Sequence, residues 1–394
     1  MSSAGKLRFV PGRADPRDAL FDLLESGVAD GVFPGAVATV YRRGGIVYDE
    51  AHGALATDRR CSVHGIEVAR DTVYDLASLT KVLATTTMVA QLVSERRLEL
   101  DAEVPEPWRH ACPGATLADL LEHCSGLAAH REYFTSVEPF DAEKVLHQVI
   151  ATPRDYERRA KAVYSDLGFM ILGAWLEREL DTPLDEAFAD RVAYRLGLDD
   201  HVMPALGYRR VFSEAALGWE LERKIAPTEL YEPDLHPDGV PSWFAVRGRV
   251  SIAHGVVHDD NAYVMGGVAG HAGLFGTAAA VMEVARAWVE GILPGVDVAT
   301  RDRFWRRSTV PGSTRCLGWD GVSLDGSGMT GRAMSERAVG HSGFTGTSVW
   351  IDPDGGNDGP WIAVLLTNRV HPTRDSDAIK AFRPKFHEAA GKLR

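Results

Sequence analysis

Strand-like runs sit at the two ends of this 394-residue chain and helical patterns fill its middle, which limits the folds open to it. Near the start, Ala36-Val37-Ala38-Thr39-Val40-Tyr41 and Ile46-Val47-Tyr48 flank Arg42-Arg43-Gly44-Gly45, a hairpin signal. Near the end, residues 346–351 and 361–367 flank the turn-forming Asp352-Pro353-Asp354-Gly355-Gly356. Between them, Val82, Leu83, Thr86, Val89, Ala90 and Val93 recur at helical spacing within 78–97. Further helices are expected at 117–122, 167–180, 185–196 and 277–289, and near the termini at 16–27 and 377–390, with Asp15 or Asp18 capping the first. Residues 226–276 read as proline-, glycine- and histidine-rich loop. The fold class expected is α+β: an antiparallel sheet built from both termini and flanked by helices, with an inserted, mostly helical subdomain. Residues 17–70 with 245–394 would form the sheet domain and 71–244 the helical one, the active site lying between them.

Charge and cysteine usage exclude several function classes. The net charge of -12 leaves no basic footprint for nucleic acid. Cys61, Cys112, Cys124 and Cys316 form no C-x-x-C pair, so neither zinc nor redox chemistry is indicated, and they read as reduced thiols. His254, His258, Asp259, Asp260 and His271 lie in loop-like sequence and read as loop bonding and cleft lining rather than metal ligands. The glycines at 266, 267, 270 and 273 miss the dinucleotide spacing. No cofactor is expected. Residues 1–15 lack the apolar core of a signal peptide, and no apolar run approaches the roughly 18 residues of a membrane span, so the chain reads as cytoplasmic. Trp243, Trp319 and Trp350 read as core, with cleft lining as the alternative.

Three short stretches carry chemistry. In Ser78-Leu79-Thr80-Lys81 the two ends share a helix face. Lysine is scarce here, eight among 43 basic residues, and Lys81 falls on an otherwise apolar helix. A serine hydroxyl needs a neighbouring base, and a buried lysine can be one. The alternative is a capping serine with a snorkelling lysine. Ser3-Ala4-Gly5-Lys6 repeats the spacing with no helix around it. Tyr164-Ser165-Asp166 precedes the helix at 167–180; its phenol can carry a proton if a cation lies near, or be a core tyrosine beside a helix cap. In His341-Ser342-Gly343-Phe344, Gly343 permits close backbone approach. The Phe344 N–H would then join that of Ser78 in an oxyanion hole, unless the segment is only a strand-edge turn.

In this order the three pieces resemble the penicillin-recognising serine enzymes: serine β-lactamases, D-alanyl-D-alanine peptidases and related esterases. Leu117-Ala118-Asp119-Leu120-Leu121-Glu122-His123-Cys124-Ser125-Gly126-Leu127 and Gly270-His271-Ala272-Gly273-Leu274-Phe275 are similar to further stretches of that family, so the resemblance spans about residues 17–390. It implies Ser78 as nucleophile, Lys81 taking or sharing its proton, Tyr164 as general base and acid, and the N–H groups of Ser78 and Phe344 as oxyanion donors. Asp166, His341, Ser342 and Gly343 would bind substrate. His341 stands where classical members have lysine, and a mostly neutral ring attracts a carboxylate less, which argues against an efficient β-lactamase. Asp166 stands where asparagine is usual. It either pairs with Lys81, raising that lysine's pKa and favouring Tyr164 as base, or accepts from substrate. The function expected is a serine hydrolase of a small ester, amide or short peptide, leaning to carboxylesterase. A D-amino-acid peptidase or weak β-lactamase, an acyltransferase, and a non-catalytic binding or filament protein are the alternatives.

Overall fold

The computed structural model describes residues 15–138, 140–199, 205–211, 219–231 and 251–393. Its main sheet has six strands: β1 (Gly35–Arg42), β2 (Gly45–Gly53), β3 (Asp320–Gly321), β4 (Val339–Ser342), β5 (Ser348–Asp352) and β6 (Trp361–Thr367). They run β2-β1-β6-β5-β4-β3 across the sheet, and the pairings are antiparallel. The first strand thus lies against the last, Ala36 opposite Thr367 and Arg42 opposite Trp361. This is the sheet expected from both termini. The β1–β2 turn places Arg43 at φ 55° and Gly44 at φ 78°, the two-residue loop whose twist matches that of its strands.

Both faces of this sheet are covered, which explains the near-continuous apolar runs of β1 and β6. Side chains alternate along a strand. Ala36, Ala38, Val40, Ala363 and Leu365 pack on Leu20 and Leu24 of α1 (Pro16–Ala29) and on the C-terminal helix residues Ile379, Phe382 and Phe386. Val37, Tyr41, Val364 and Leu366 face the other way, into one apolar cluster that continues through α2 (Thr87–Ser94), α3 (Asp166–Leu180) and α4 (Ala278–Glu290). The C-terminal helix, α5, spans Ala378–Ala390. Asp15 is the residue that caps α1, accepting from the Arg17 N–H at 2.9 Å. Sheet and helical region therefore share one core. The boundary drawn at 244–245 lies outside the described residues, as do Trp243 and the Ser3–Lys6 repeat.

Two expected helices differ in form. The segment read as one helix over 78–97 has Ser78 in a turn, then a π-helical stretch Lys81–Thr86 before α2. Thr85 Oγ1 in this stretch donates across to Gly270 O at 2.7 Å, and just beyond it Thr87 Oγ1 donates to Val82 O at 2.9 Å, five residues back, in keeping with a widened turn. The segment 185–196 divides into an α turn (Leu184–Phe188), a π turn (Ala189–Ala193) and a 3₁₀ turn (Tyr194–Leu196). A second sheet went unforeseen. Leu274–Gly276 lies between Tyr74–Asp75 and Leu206–Tyr208 and brings the chain to Ser78.

Candidate active site

The turn before Ser78 is strained and held. Ala77 has φ 46°, a left-handed conformation that costs a residue with a Cβ roughly 1–2 kcal/mol. The buried Asp75 carboxylate clamps it: Oδ1 accepts from the Ala77 N–H at 2.8 Å and Oδ2 from the His258 N–H at 2.6 Å. Burial pushes the pKa of Asp75 up to about 6, against these two donors. Its backbone oxygen accepts from Thr345 Oγ1 at 2.7 Å, and Leu76 O accepts from Thr347 Oγ1 at 3.0 Å. The loop after β4 is thereby stapled to the residues just before Ser78. Gly343 leaves no room for a side chain, since a Cβ there would lie 2.2 Å from Thr347 Oγ1 and 2.5 Å from Leu76 O. The Ser78 and Phe344 N–H groups donate no backbone hydrogen bond among the described residues. Arg383 Nη2 donates to Gly343 O and Thr347 O at 2.9 Å each, fixing the loop from behind. Gly343→Ala is expected to displace the Phe344 N–H and lower kcat by ~10²-fold or more, the cost of losing one oxyanion donor. Steady-state kinetics with a wild-type level of folded protein checks this.

Lys81 is fully buried and its three protons are committed. Nζ lies 3.0 Å from Ser78 Oγ, 3.1 Å from His271 O and 2.8 Å from Asp166 Oδ1. Burial alone would depress its pKa, but the Asp166 carboxylate and the Tyr164 phenol together offset this, so the ammonium is held above its ordinary value. Burial opposes ionisation of Asp166 too, yet Lys81 and then His130, at 3.3 Å, keep its carboxyl well below the usual range. Of the two roles open to Asp166, pairing with Lys81 is the one the geometry displays. Held this way, the Lys81 ammonium donates to Ser78 Oγ, the sharing form of the role expected for it.

Tyr164 lies with its ring centroid 4.8 Å from Lys81 Nζ and 4.7 Å from the His123 ring. Its hydroxyl is buried and makes no hydrogen bond among the described residues. Burial raises its pKa and Asp166 adds to this, while Lys81 and Ser78 are close enough to pull it down; the net direction is up. The stretch 117–127 explains its placement. His123 Nδ1 accepts the Ser165 N–H at 3.0 Å, His123 O accepts the Val163 N–H at 2.8 Å, and Ser165 Oγ donates to Ala128 O at 2.6 Å. The His123 ring must be neutral to accept, and burial pushes its pKa well down, helped by Arg315 and Lys81.

His341 lines the cleft beside Tyr164, ring centroids 5.7 Å apart. Its Nδ1–H donates to Ser342 O at 2.9 Å and its buried Nε2 has no partner among the described residues. Burial, then Lys81 and Arg315, holds the ring neutral. A cleft of about 670 Å³ is lined by Ser78, Tyr164, Arg315, His341, Gly343 and Phe344 among others, and Trp350 lies in its wall. A second chamber of about 310 Å³ shares Ser78, Tyr164 and Phe344 and carries Asp166, Asp259 and Asp260. Trp319 is a core residue against Trp288. His254 meets the carbonyls of Glu222 and Ile225, His258 pairs with Glu229 at 2.8 Å and His271 with Asp259 at 2.9 Å. Among the described residues no His, Cys, Asp and Glu cluster is arranged to hold a metal. Sequence reasoning missed Asp75, whose position two residues before a strained turn is an Asx-turn signal, and Arg315, which no motif marks.

A serine, a buried lysine and a tyrosine gathered beside a glycine-backed loop, between an antiparallel sheet and a helical region, define a serine hydrolase of the penicillin-recognising fold. The chain belongs to the Beta-lactamase family, which it matches over residues 20–384. A protein of Escherichia coli O157:H7 named as a D-alanyl-D-alanine carboxypeptidase is 30% identical over 368 residues, 87% of this chain and 80% of that one. An N-acetylmuramyl-L-alanine amidase of Bacillus subtilis (strain 168) is 30% identical over 377 residues, 89% and 80% of the two chains. Among solved structures, the simvastatin synthase LovD of Aspergillus terreus superposes with a TM-score of 0.69 at 19% identity, covering 96% of this chain and 98% of that one. The hydrolase EstCE1, described as having promiscuous acyltransferase activity, gives 0.68 at 19% identity with the same coverage. No helix among the described residues is long and apolar enough to cross a membrane.

Proposed function

We propose that this hydrolase cleaves a small amide through an acyl-enzyme on Ser78, with Tyr164 moving the proton and Lys81 acting as a fixed cation. The observation that carries this is the 2.8 Å pair between Lys81 and Asp166: a lysine held as an ammonium leaves the phenol as the group free to exchange a proton. As a phenolate steadied by the Lys81 ammonium, Tyr164 takes the Ser78 proton while Oγ attacks the carbonyl carbon. The Ser78 and Phe344 N–H groups receive the developing oxyanion. Tyr164 then returns the proton to the leaving nitrogen as the C–N bond breaks. Water repeats the cycle on the ester: its proton goes to Tyr164, its oxygen to the acyl carbon, and Ser78 recovers its proton. The names of the two curated relatives above denote cleavage of amide bonds, which supports an amide over the ester that the sequence favoured. The active phenolate is scarce where burial raises the Tyr164 pKa, so kcat/KM should climb with pH.

Asp166→Asn tests the assignment by pH. The Asp166 charge raises the Tyr164 pKa, so its removal lowers that pKa, and the ascending limb of the kcat/KM profile is expected to move to lower pH. The Lys81 pKa falls as well, moving the descending limb the same way. An ascending limb that stays in place would remove Tyr164 from the proton path.

A further inference from the structure

Two chambers meet at Ser78, the cleft of about 670 Å³ and the smaller one of about 310 Å³. Among the described residues, Ser78, Tyr164 and Phe344 line both. The side chains of the first two are spent on the chemistry. Phe344 gives the reaction only its backbone N–H, so its ring is left over at the junction. That ring is 50% exposed and therefore open to a substrate.

The ring is also held in place from both chambers. His258, which lines the smaller one, stacks on it with centroids 5.6 Å apart and planes inclined by 22°. Arg369, which lines the wider cleft, places Cζ 4.4 Å from the ring centroid. Stacked rings and a cation over an aromatic face both attract. These two partners are themselves fixed. His258 Nε2 meets Glu229 Oε2 at 2.8 Å, and the His258 N–H donates to Asp75 at 2.6 Å. Arg369 Nε donates to Phe344 O at 2.8 Å, and its Nη1 donates to Arg374 O at 3.1 Å and Ser376 O at 2.8 Å. The ring is thus a rigid wall and not a side chain free to swing aside. Which half of the substrate meets it follows from the order of the two steps. The leaving half departs after acylation and water takes its place, so it needs the wider cleft. The acyl half stays on Ser78 through both steps. The narrower chamber, walled by Ala77, Asp166, Ala272 and the Phe344 ring, suits that half.

We propose that the Phe344 ring is the partition between the two chambers and sets the size of the acyl group that Ser78 can carry, so that the enzyme selects short acyl groups. This rests on the acyl-enzyme reading above. The test uses p-nitrophenyl acetate and p-nitrophenyl hexanoate, which share a leaving group and differ only in the acyl chain. Nitrophenol release and the mass of Ser78 are followed together. The ratio of the two kcat/KM values cancels any change in the oxyanion hole, which both esters feel alike. Wild type is expected to favour the acetate. Phe344→Ala should raise the hexanoate-to-acetate ratio by ~10-fold or more, since room for a single methylene in an apolar site is worth about that much. Phe344→Leu should raise it less. Phe344→Trp should lower it by ~10-fold, because a larger wall crowds the chain. Opposite movements in the smaller and larger variants are what a merely loosened loop cannot produce. A ratio unmoved by these variants, or moved the same way by Phe344→Ala and Phe344→Trp, overturns the partition, while acylation of Ser78 leaves the mechanism standing. Failure of both esters to acylate wild-type Ser78 overturns the two readings together.

Discussion

Ser78→Ala is expected to lower kcat by at least ~10⁴-fold, the scale seen when a catalytic nucleophile is removed. It should also abolish adduct formation with a fluorophosphonate, read by intact-mass spectrometry. The fold should tolerate the change. Lys81 loses one acceptor and keeps Asp166 and His271 O. Thermal unfolding is expected to move by less than ~2 °C, below the shift of a single kcal/mol in most domains. Full labelling of the variant would place the nucleophile elsewhere.

Lys81→Met is expected to strike activity and stability together. Lys81 has no exposed surface, and the Asp166 carboxylate it faces is 16% exposed. Removing the ammonium leaves that carboxylate with His130 at 3.3 Å and the more distant His271, and breaking a buried pair this way costs ~3–5 kcal/mol. Denaturant unfolding should show the loss. In the double variant Lys81→Met/Asp166→Asn the stranded charge is gone, so most of the stability should return while activity stays absent. That cycle separates the two roles of one lysine. A double variant as unstable as Lys81→Met would show that packing, not the stranded charge, caused the loss; recovered turnover would show that the ammonium is dispensable.

The architecture was legible because it depends on patterns that sequence carries directly. Short, near-continuous apolar runs at 36–41 and 361–367 marked strands at both ends, and the glycine turn at 42–45 marked the hairpin. The candidate site was legible by its spacing, because Ser78 and Lys81 lie three apart on an otherwise apolar segment. What was missed depends on contacts between distant segments. Ser78 was read into a helix, whereas the Asp75 clamp holds it on a turn just before one, and no periodicity reports a φ of 46° at Ala77. The charge state of Lys81 could not be read from its own surroundings in sequence, because Asp166 sets it from 85 residues away. Arg315 is one of many arginines in the chain. Its bridge to Asp320, and the pairing of Asp320 with Gly340, bring it near Tyr164.

The lateral position of β1 against β6 has a consequence for biogenesis. Residues 35–42 find their central neighbour only when residues 361–367, more than 300 positions further on, leave the ribosome. Long-range pairing of this kind is slow and exposes unpaired edges meanwhile. A nascent chain stalled before residue 361 already contains the serine, the lysine and the tyrosine, yet lacks the strand that joins the two halves of the sheet. Assembly of the main sheet is thereby deferred until residue 367 has been made, and a chain cut short of that point is expected to lack hydrolase activity.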